Sequence, residues 1–485
     1  MTEQIKELDP RFNTVPERIK NIHIMGICGT AMAALAGMLK ERGFNISGSD
    51  NQVYPPMSDF LEQIGVCAFS GYKPENLSAE PDLVIVGNVI TKINPEAQAL
   101  ADKGIPYISM PQALAHFFID SRRSLVLAGT HGKTTSSSIL ASALHELGAD
   151  PTFMIGGILR KFNSNFRIGS GPYFIAEGDE YDTAFFDKVS KFLHYRPEVA
   201  VITSLEFDHA DIFKDLEAIK DSFRTFVKLL PAGGLIIANF DDKNVVEVLE
   251  NAPCAVQSYG TSAECDWRIE KVSYVSGYTR FPLYFKDRFF AQVEIQNPGI
   301  HNCMNATAVT AVMHHLGFLK KDIVSALASF NGVKRRQEVR GIVDNITVID
   351  DFAHHPTAVR ETLNALKLAY PKNRLIAVFE PRTNTSRRSF FQQQYISSFL
   401  NADLSLIREP VPTDTIGKHD RFSSSQLAGD LRGRTQQAQS FSDTDDILDY
   451  LQNSARPGDV IAILSNGGFD NIHDRLLAIL QDRIG

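Results

Sequence analysis

One tryptophan, five cysteines and no CxxC spacing leave this 485-residue chain without the marks of a disulfide-stapled or zinc-caged protein. Cys28, Cys67, Cys254, Cys265 and Cys303 read as reduced, buried thiols, and no structural metal is expected. An excess of positive charge is lacking as well. Lys and Arg number 49 against 57 Asp and Glu, a net charge of -8, so no global field gathers nucleic acid or anionic lipid, and any anion must be held locally. Long hydrophobic runs are absent: the longest uncharged stretch, His23 to Leu39, is broken by Gly26, Gly29 and Gly37 and is too short to cross a bilayer. The opening MTEQIKELDPRF lacks the basic-then-apolar order of a signal peptide, which places the protein in the cytoplasm. Low-complexity tracts are missing too. With 44% hydrophobic residues the chain reads as folded and soluble, and at roughly 150 residues per domain its length corresponds to about three domains.

What is present is an alternation of short aliphatic runs and longer amphipathic stretches. NIHIMGI precedes Ala31 to Arg42, DLVIVGN precedes Pro95 to Lys103, and SLVLAGT precedes Thr134 to Leu147. The alternation resumes at EVAVITS, GGLIIAN and a helix from about Asn305 to Leu316, and again at ITVIDDF, RLIAVFE and DVIAILS. This pattern predicts parallel sheets wrapped by helices, in three consecutive α/β domains. The boundaries fall near Asp120 to Ser124 and Gly332 to Gly341, giving units 1–121, 122–334 and 335–485. Between Cys265 and Val293 helical period is missing and β-formers dominate, which predicts antiparallel strands inserted in the middle unit.

The sharpest motif is LVLAGTHGKTTSSS. A strand ends at Ala128, a turn Gly129-Thr130-His131-Gly132 follows, and Lys133 and Thr134 open a helix. Turn and helix amides face phosphate oxygens, Lys133 supplies charge, and the Thr134 hydroxyl can hold magnesium. The usual P-loop pattern would need glycine where Leu127 stands, so this is a shorter version. FIAEGDEYD crowds Glu177, Asp179, Glu180 and Asp182 at another strand end, where clustered carboxylates suit magnesium. VAVITSLEFDHADIF ends a third strand at Asp208-His209. Open α/β sheets gather functional groups at the carboxyl ends of strands, so these motifs converge on an ATP and magnesium site.

The amino-terminal IHIMGICGTAM followed by SGSD resembles a dinucleotide turn, yet Cys28 and Ala31 occupy two of the three glycine positions. Its helix start can receive a diphosphate, and Asp50 can meet a ribose or base, which fits a diphosphate nucleotide other than NAD. NPGIHNCMNA sets His301, Asn302 and Asn305 at a helix start, where a plain cap is the simplest reading. GVKRRQEVRG and VIDDFAHHP bring Arg335, Arg336, Asp350, Asp351, His354 and His355 to a domain junction, where arginines can close onto phosphate.

Taken in order, these motifs resemble the Mur ligase family, ATP-dependent enzymes that join amino acids or peptides to a UDP-muramoyl precursor. The resemblance spans nearly the whole chain and implies a Rossmann-like first domain, a P-loop ATPase-like middle domain and a Rossmann-like third domain that binds the peptide. It implies that Gly129, Thr130, His131, Gly132, Lys133, Thr134 and Thr135 hold ATP phosphates, with Thr134, Glu177 and His209 on Mg2+. His301 and Asn302 would meet adenine, Asp351 the ribose, and Arg336 the γ-phosphate. UDP-N-acetylmuramate would lie against Gly26, Cys28, Gly29, Thr30, Ala31, Met32, Ser49 and Asp50. His355 would face the muramoyl or incoming amine side, making Lys133, Arg336 and His355 the catalytic candidates. Lys220 lies near the place of a lysine that some members carbamylate, and Arg382 to Arg388 form a candidate patch for peptide carboxylates.

Finer runs, YPPMSDFLE, EYDTAFFDKVSKFLHY, LEFDHADIF and SNGGF, resemble members that attach the preformed tripeptide L-alanyl-γ-D-glutamyl-meso-diaminopimelate in wall recycling. The alternative is a member adding free L-alanine. Outside the family, an NAD-dependent dehydrogenase is motivated by the first turn and Asp50, and a nucleotide-driven switch by the P-loop alone. No nucleic-acid partner and no membrane insertion are expected.

Overall fold

Strands buried on both faces set the plan of the computed structural model, which describes residues 5–208, 212–411, 416–434 and 436–483. Leu83–Val86, Val199–Ile202, Leu375–Phe379 and Val460–Leu464 are buried at every position, as parallel strands covered by helices on both sides must be. Among the described residues three large sheets and one two-stranded ribbon form. The first sheet holds five parallel strands, with Asn21–Met25 central between Asn45–Asp50 and Leu83–Val86. The third holds five parallel strands, from Ile346–Asp351 to Gln437–Phe441, and the antiparallel edge strand Glu338–Val343.

The middle sheet places Arg123–Ala128, the P-loop strand, between Val199–Ile202 and Tyr173–Gly178, all parallel. The three acidic and phosphate-binding motifs therefore end side by side. The segment without helical period forms Ser273–Val275, Tyr278–Phe285 and Arg288–Ile295, antiparallel strands that extend one edge of this sheet. The helix expected from Asn305 starts earlier, at Ile300, because Gly299 as N-cap adopts φ 104° and turns the chain into it. Local chemistry sets other ends: the Asn94 side chain accepts from the amides of Glu96 and Ala97, Pro95 opens that helix, and Gly104 at φ 60° closes it.

The apolar cores are unevenly shared. One cluster runs without a break from Ile85 of the first sheet and Leu35 of its helix Thr30–Glu41 to Phe174 of the middle sheet and Phe223 and Phe226 of helix Leu216–Val227. The clusters of the third sheet contain no residue from the other two. No helix of the described residues is long and apolar enough to cross a membrane. All five cysteines are free, and only Cys265 and Cys303 are buried. Cys67 is exposed because it lies on the outermost strand of the first sheet, which corrects the expectation of uniformly buried thiols.

Candidate active site

The P-loop turn needs its glycines. Gly129 has φ 128°, and a Cβ there would lie 2.2 Å from Thr203 Oγ1; Gly132 has φ 86°, and a Cβ would lie 2.5 Å from Asn305 Oδ1. Gly132 caps helix Lys133–Glu146 with no side-chain acceptor, so the helix amino terminus stays available to an anion. The turn is braced from the next strand end, where Thr130 N–H donates to the Ser204 carbonyl (2.8 Å) and His131 N–H to Ser204 Oγ (3.0 Å).

Lys133 is buried, its Nζ donating to the Gly129 carbonyl (2.6 Å) and to Glu180 Oε2 (2.9 Å). Burial works against its charge, but Glu180, Asp179 and Glu177 raise its pKa above the ordinary lysine value. Glu177 accepts Gly156 N–H at Oε2 (3.0 Å), while its buried Oε1 has no hydrogen-bond partner. Burial, then the neighbouring Asp179, raises its pKa. An acceptor-only oxygen left buried and unpaired beside the Thr134 hydroxyl is the donor set a hard dication takes, so these residues fit magnesium. His209, the third expected ligand, lies outside the described residues.

Arg336 reaches in from the connection to the third sheet, its Nη2 donating to Thr134 Oγ1 (3.2 Å) while its guanidinium lies 4.8 Å from the Phe352 ring centre. Asp351 is buried; it accepts Gln337 N–H, Ala353 N–H and the Thr362 hydroxyl, and so fixes the turn that aims Arg336. Asn302 donates to the Pro298 carbonyl (2.7 Å) and to Gln337 Oε1 (3.2 Å). His301 is lowered to about 4 by burial and is neutral near pH 7. Gly132, Lys133, Thr134, Thr135, Glu177, His301, Asn302, Arg336 and Asp351 line one cavity of about 750 Å³, and Gly129 does not reach it.

Three contacts had no role in the sequence reading. Glu180 pairs with Lys133, Asn305 accepts the Ser136 hydroxyl (3.1 Å) to tie two helices under the P-loop, and Glu206 accepts the Thr357 hydroxyl (2.7 Å) across the domain junction. Burial disfavours the Glu206 carboxylate, yet His131, then His355 and Thr357, hold it down to about 2. His355, buried beside Glu206, is lowered to about 3, first by burial and then by His131. Only the acidic cluster around Glu180 and the charge of LEFDH could have pointed to them. Lys220 donates to Glu247 (2.5 Å), which occupies its amine.

The amino-terminal turn is a separate place. Gly26 has φ 83°, the amides of Gly26 and Ile27 donate to the Ser49 carbonyl, and Cys28 N–H donates to Asp50 Oδ2 (2.9 Å). Gly29 caps helix Thr30–Glu41 without a side-chain acceptor, and Gly29 and Thr30 are exposed, with Cys28 and Ala31 half-buried. Met32 and Ser49 point inward instead. Met32 packs in the core, and the Ser49 hydroxyl donates to buried Glu96 (2.8 Å), which also bonds His23 (2.7 Å) and Asn76 (2.8 Å). On the third sheet Arg335 donates to the carbonyls of Ser465 (2.6 Å) and Gly467 (2.7 Å), holding the SNGGF turn against Arg382. Arg387 and Arg388 are half-buried, with Nε atoms that lack partners.

The Mur ligase family catalytic domain matches residues 21–122, the Mur ligase middle domain 127–313, and the Mur ligase glutamate ligase domain 335–467. A UDP-N-acetylmuramate–L-alanyl-γ-D-glutamyl-meso-2,6-diaminoheptandioate ligase of Haemophilus influenzae is 37% identical over 464 residues, covering 96% of this chain and 100% of the relative. A UDP-N-acetylmuramate–L-alanine ligase of Acetivibrio thermocellus is 34% identical over 481 residues, covering 98% of each. The crystal structure of a murein peptide ligase from Psychrobacter arcticus superposes with a TM-score of 0.70 at 36% identity, covering 96% of this chain and 99% of that one. With three sheets in this order, a P-loop between the first two acidic strand ends, and full-length relatives of this identity, the chain belongs to the Mur ligase family, enzymes that form amide bonds with ATP.

Proposed function

We propose that this protein joins the lactyl carboxylate of UDP-N-acetylmuramate to the amine of L-alanyl-γ-D-glutamyl-meso-diaminopimelate, with ATP as the energy source, in peptidoglycan recycling. The observation that carries a ligase reading is Arg336, anchored beside the third sheet, bonded to Thr134 of the P-loop in the middle one. Such a bridge lets one domain closure assemble the phosphoryl-transfer site. The tripeptide is favoured by the Haemophilus influenzae relative that is named for it and by the arginines at 382, 387 and 388, which suit a substrate with several carboxylates. Units 1–121, 122–334 and 335–485 would hold the UDP-sugar, ATP and peptide respectively. ATP and nucleotide sugars are cytoplasmic metabolites, so the reaction belongs there.

A carboxylate is a poor electrophile, so its oxygen attacks the γ-phosphorus, ADP leaves, and the resulting acyl phosphate is attacked by the amine, which releases phosphate and a proton. Lys133 and Arg336 stabilise charge on the transferring group. Thr134 and Glu177 would hold magnesium, with His209 assigned on the family resemblance; the ion would act as a Lewis acid on phosphate oxygens. Closure of the third sheet's domain excludes water that would hydrolyse the acyl phosphate. His355, neutral and poorly basic, would orient the muramoyl or amine group more than take its proton. Cys28 to Ala31 and Asp50 would receive the UDP portion.

The Acetivibrio thermocellus relative supports L-alanine as the second reading. Offering ATP and UDP-N-acetylmuramate with L-alanine or with tripeptide, in separate reactions with products identified by mass, tests both. Preferential tripeptide product is expected. Preference for L-alanine would overturn the substrate while leaving the ligase, and phosphate release without any UDP-muramoyl product would overturn the ligase.

A further inference from the structure

We infer that His131, Glu206 and His355 form a second metal site, for a transition-metal dication of the zinc class, separate from the magnesium position at Thr134 and Glu177. The three side chains come from three segments: the P-loop turn, the loop after strand Val199–Ile202, and the loop between strand Ile346–Asp351 and the helix that His355 caps. Their ligand atoms all lie within 4.8 Å of one another. His131 Nε2 and His355 Nδ1 each stand 3.5 Å from the same Glu206 oxygen, Oε2.

That spacing is long for a hydrogen bond but close to the edge of a tetrahedron. Bonds of about 2.0–2.1 Å to a tetrahedral ion put ligand atoms about 3.4 Å apart. His131 Nε2, the atom that faces Glu206, is buried and has no hydrogen-bond partner, so this junction leaves imidazole capacity unused. Two imidazoles and one carboxylate with a fourth position open to water is a donor set that zinc, cobalt or nickel takes and magnesium does not. His355 Nδ1 now accepts only a 3.3 Å contact from Thr357 N–H, which an ion would displace. His131, Glu206 and His355 also line the large cavity, which gives the ion an entry path.

An ion here ties the P-loop turn directly to the third sheet's domain and withdraws both histidines from substrates. Bound metal of this class therefore holds the domains together and inhibits turnover, with magnesium still in its own place.

Cobalt titrated into the full chain in excess magnesium is the probe, because four-coordinate cobalt absorbs strongly in the visible. A band saturating at one equivalent, displaced by zinc and not by magnesium, is expected. It should be lost in His131→Ala, Glu206→Gln and His355→Ala, each checked for native circular dichroism, and kept in Glu177→Gln. Zinc should also inhibit turnover of the native chain at fixed excess magnesium. No tetrahedral band in the native protein overturns the site. A band lost in Glu177→Gln but kept in folded Glu206→Gln and His355→Ala places cobalt in the magnesium position and overturns it equally.

Discussion

The first sheet and the middle sheet each end a central strand in a glycine turn that opens a helix, and the two turns are built for different work. At Gly26 to Thr30 the glycine cap leaves helix amides open, and the bracing comes from Asp50 through Cys28 N–H. No lysine or arginine belongs to it, so the proposed binding of a diphosphate there would rest on backbone dipoles. At Gly129 to Thr134 the cap is Gly132 at φ 86°, where Gly29 of the first turn is extended, and the turn surrounds Lys133, buried against Glu180, and receives Arg336 from outside. A diphosphate that is only held needs dipoles, whereas a phosphoryl group that is transferred needs mobile charge neutralised as it develops.

The largest effect should follow Lys133→Ala, with kcat falling by roughly 10²- to 10³-fold or more, as for loss of a charge-stabilising donor. The same change removes the Lys133 ion pair from buried Glu180 and should lower Tm. Pairing it with Glu180→Gln should restore Tm and not kcat, and recovery of both in the double variant would show that Lys133 is structural only.

Next in size is a pair of glycine variants compared by denaturant unfolding. Both Gly129→Ala and Gly26→Ala place a side chain at positive φ, a strain of about 1–3 kcal/mol. Gly129→Ala adds a Cβ 2.2 Å from Thr203 Oγ1 and 2.9 Å from Ser204 backbone, whereas the nearest atom at Gly26 is a Val89 methyl at 3.4 Å. Gly129→Ala should therefore cost more stability. Equal losses would mean that the two turns are equally tight.

Asp50→Asn should raise KM for the UDP-sugar by about tenfold with kcat nearly unchanged, the signature of uniform binding. A matching fall in kcat would show that the first turn takes part in chemistry.

The smallest effect concerns Asp150, at the outer end of the P-loop helix. Bonds from the Ser170 backbone and side chain hold it down to about 2 from 3.8; burial opposes them, and Arg167 adds to the lowering. A depressed carboxylate contributes stability that is full above the unfolded value near 3.8 and is lost as pH falls through about 2. Acid unfolding of Asp150→Asn and the native chain should thus differ above about pH 4 and converge toward about pH 2. Parallel curves throughout that range would refute the linkage.

The difference between the turns also separates the two domain junctions. One unbroken apolar cluster joins the first and middle sheets, while the third sheet meets the middle one through Arg336 and Thr134, Thr357 and Glu206, and the Phe207 and Phe390 rings at 5.2 Å. Domains without a shared hydrophobic core move relative to each other most readily, so the proposed closure is expected of the third sheet's domain.

Local pattern carried much of this into view. Strand, turn and helix around Gly129 to Thr134, the acidic strand end at Glu177 and the parallel sheets were legible because they rest on periodicity and on motifs within a few residues. Glu180 was legible as charge but not as the partner of Lys133, since four carboxylates in one short run look alike until the sheet register selects one. Ser49 and Met32 looked equivalent to their exposed neighbours in the turn, and only burial against Glu96 and the core set them apart.

The sequence by itself determined the α/β class, the place of the phosphate turn and the family, because short-range spacing specifies backbone conformation and the kind of charge a turn can hold. The tertiary structure alone decided that Arg336 meets Thr134 and that His131, Glu206 and His355 share one point. Those residues lie far apart along the chain, and only the packing of sheets and the closing of domains brings their atoms within a few ångströms.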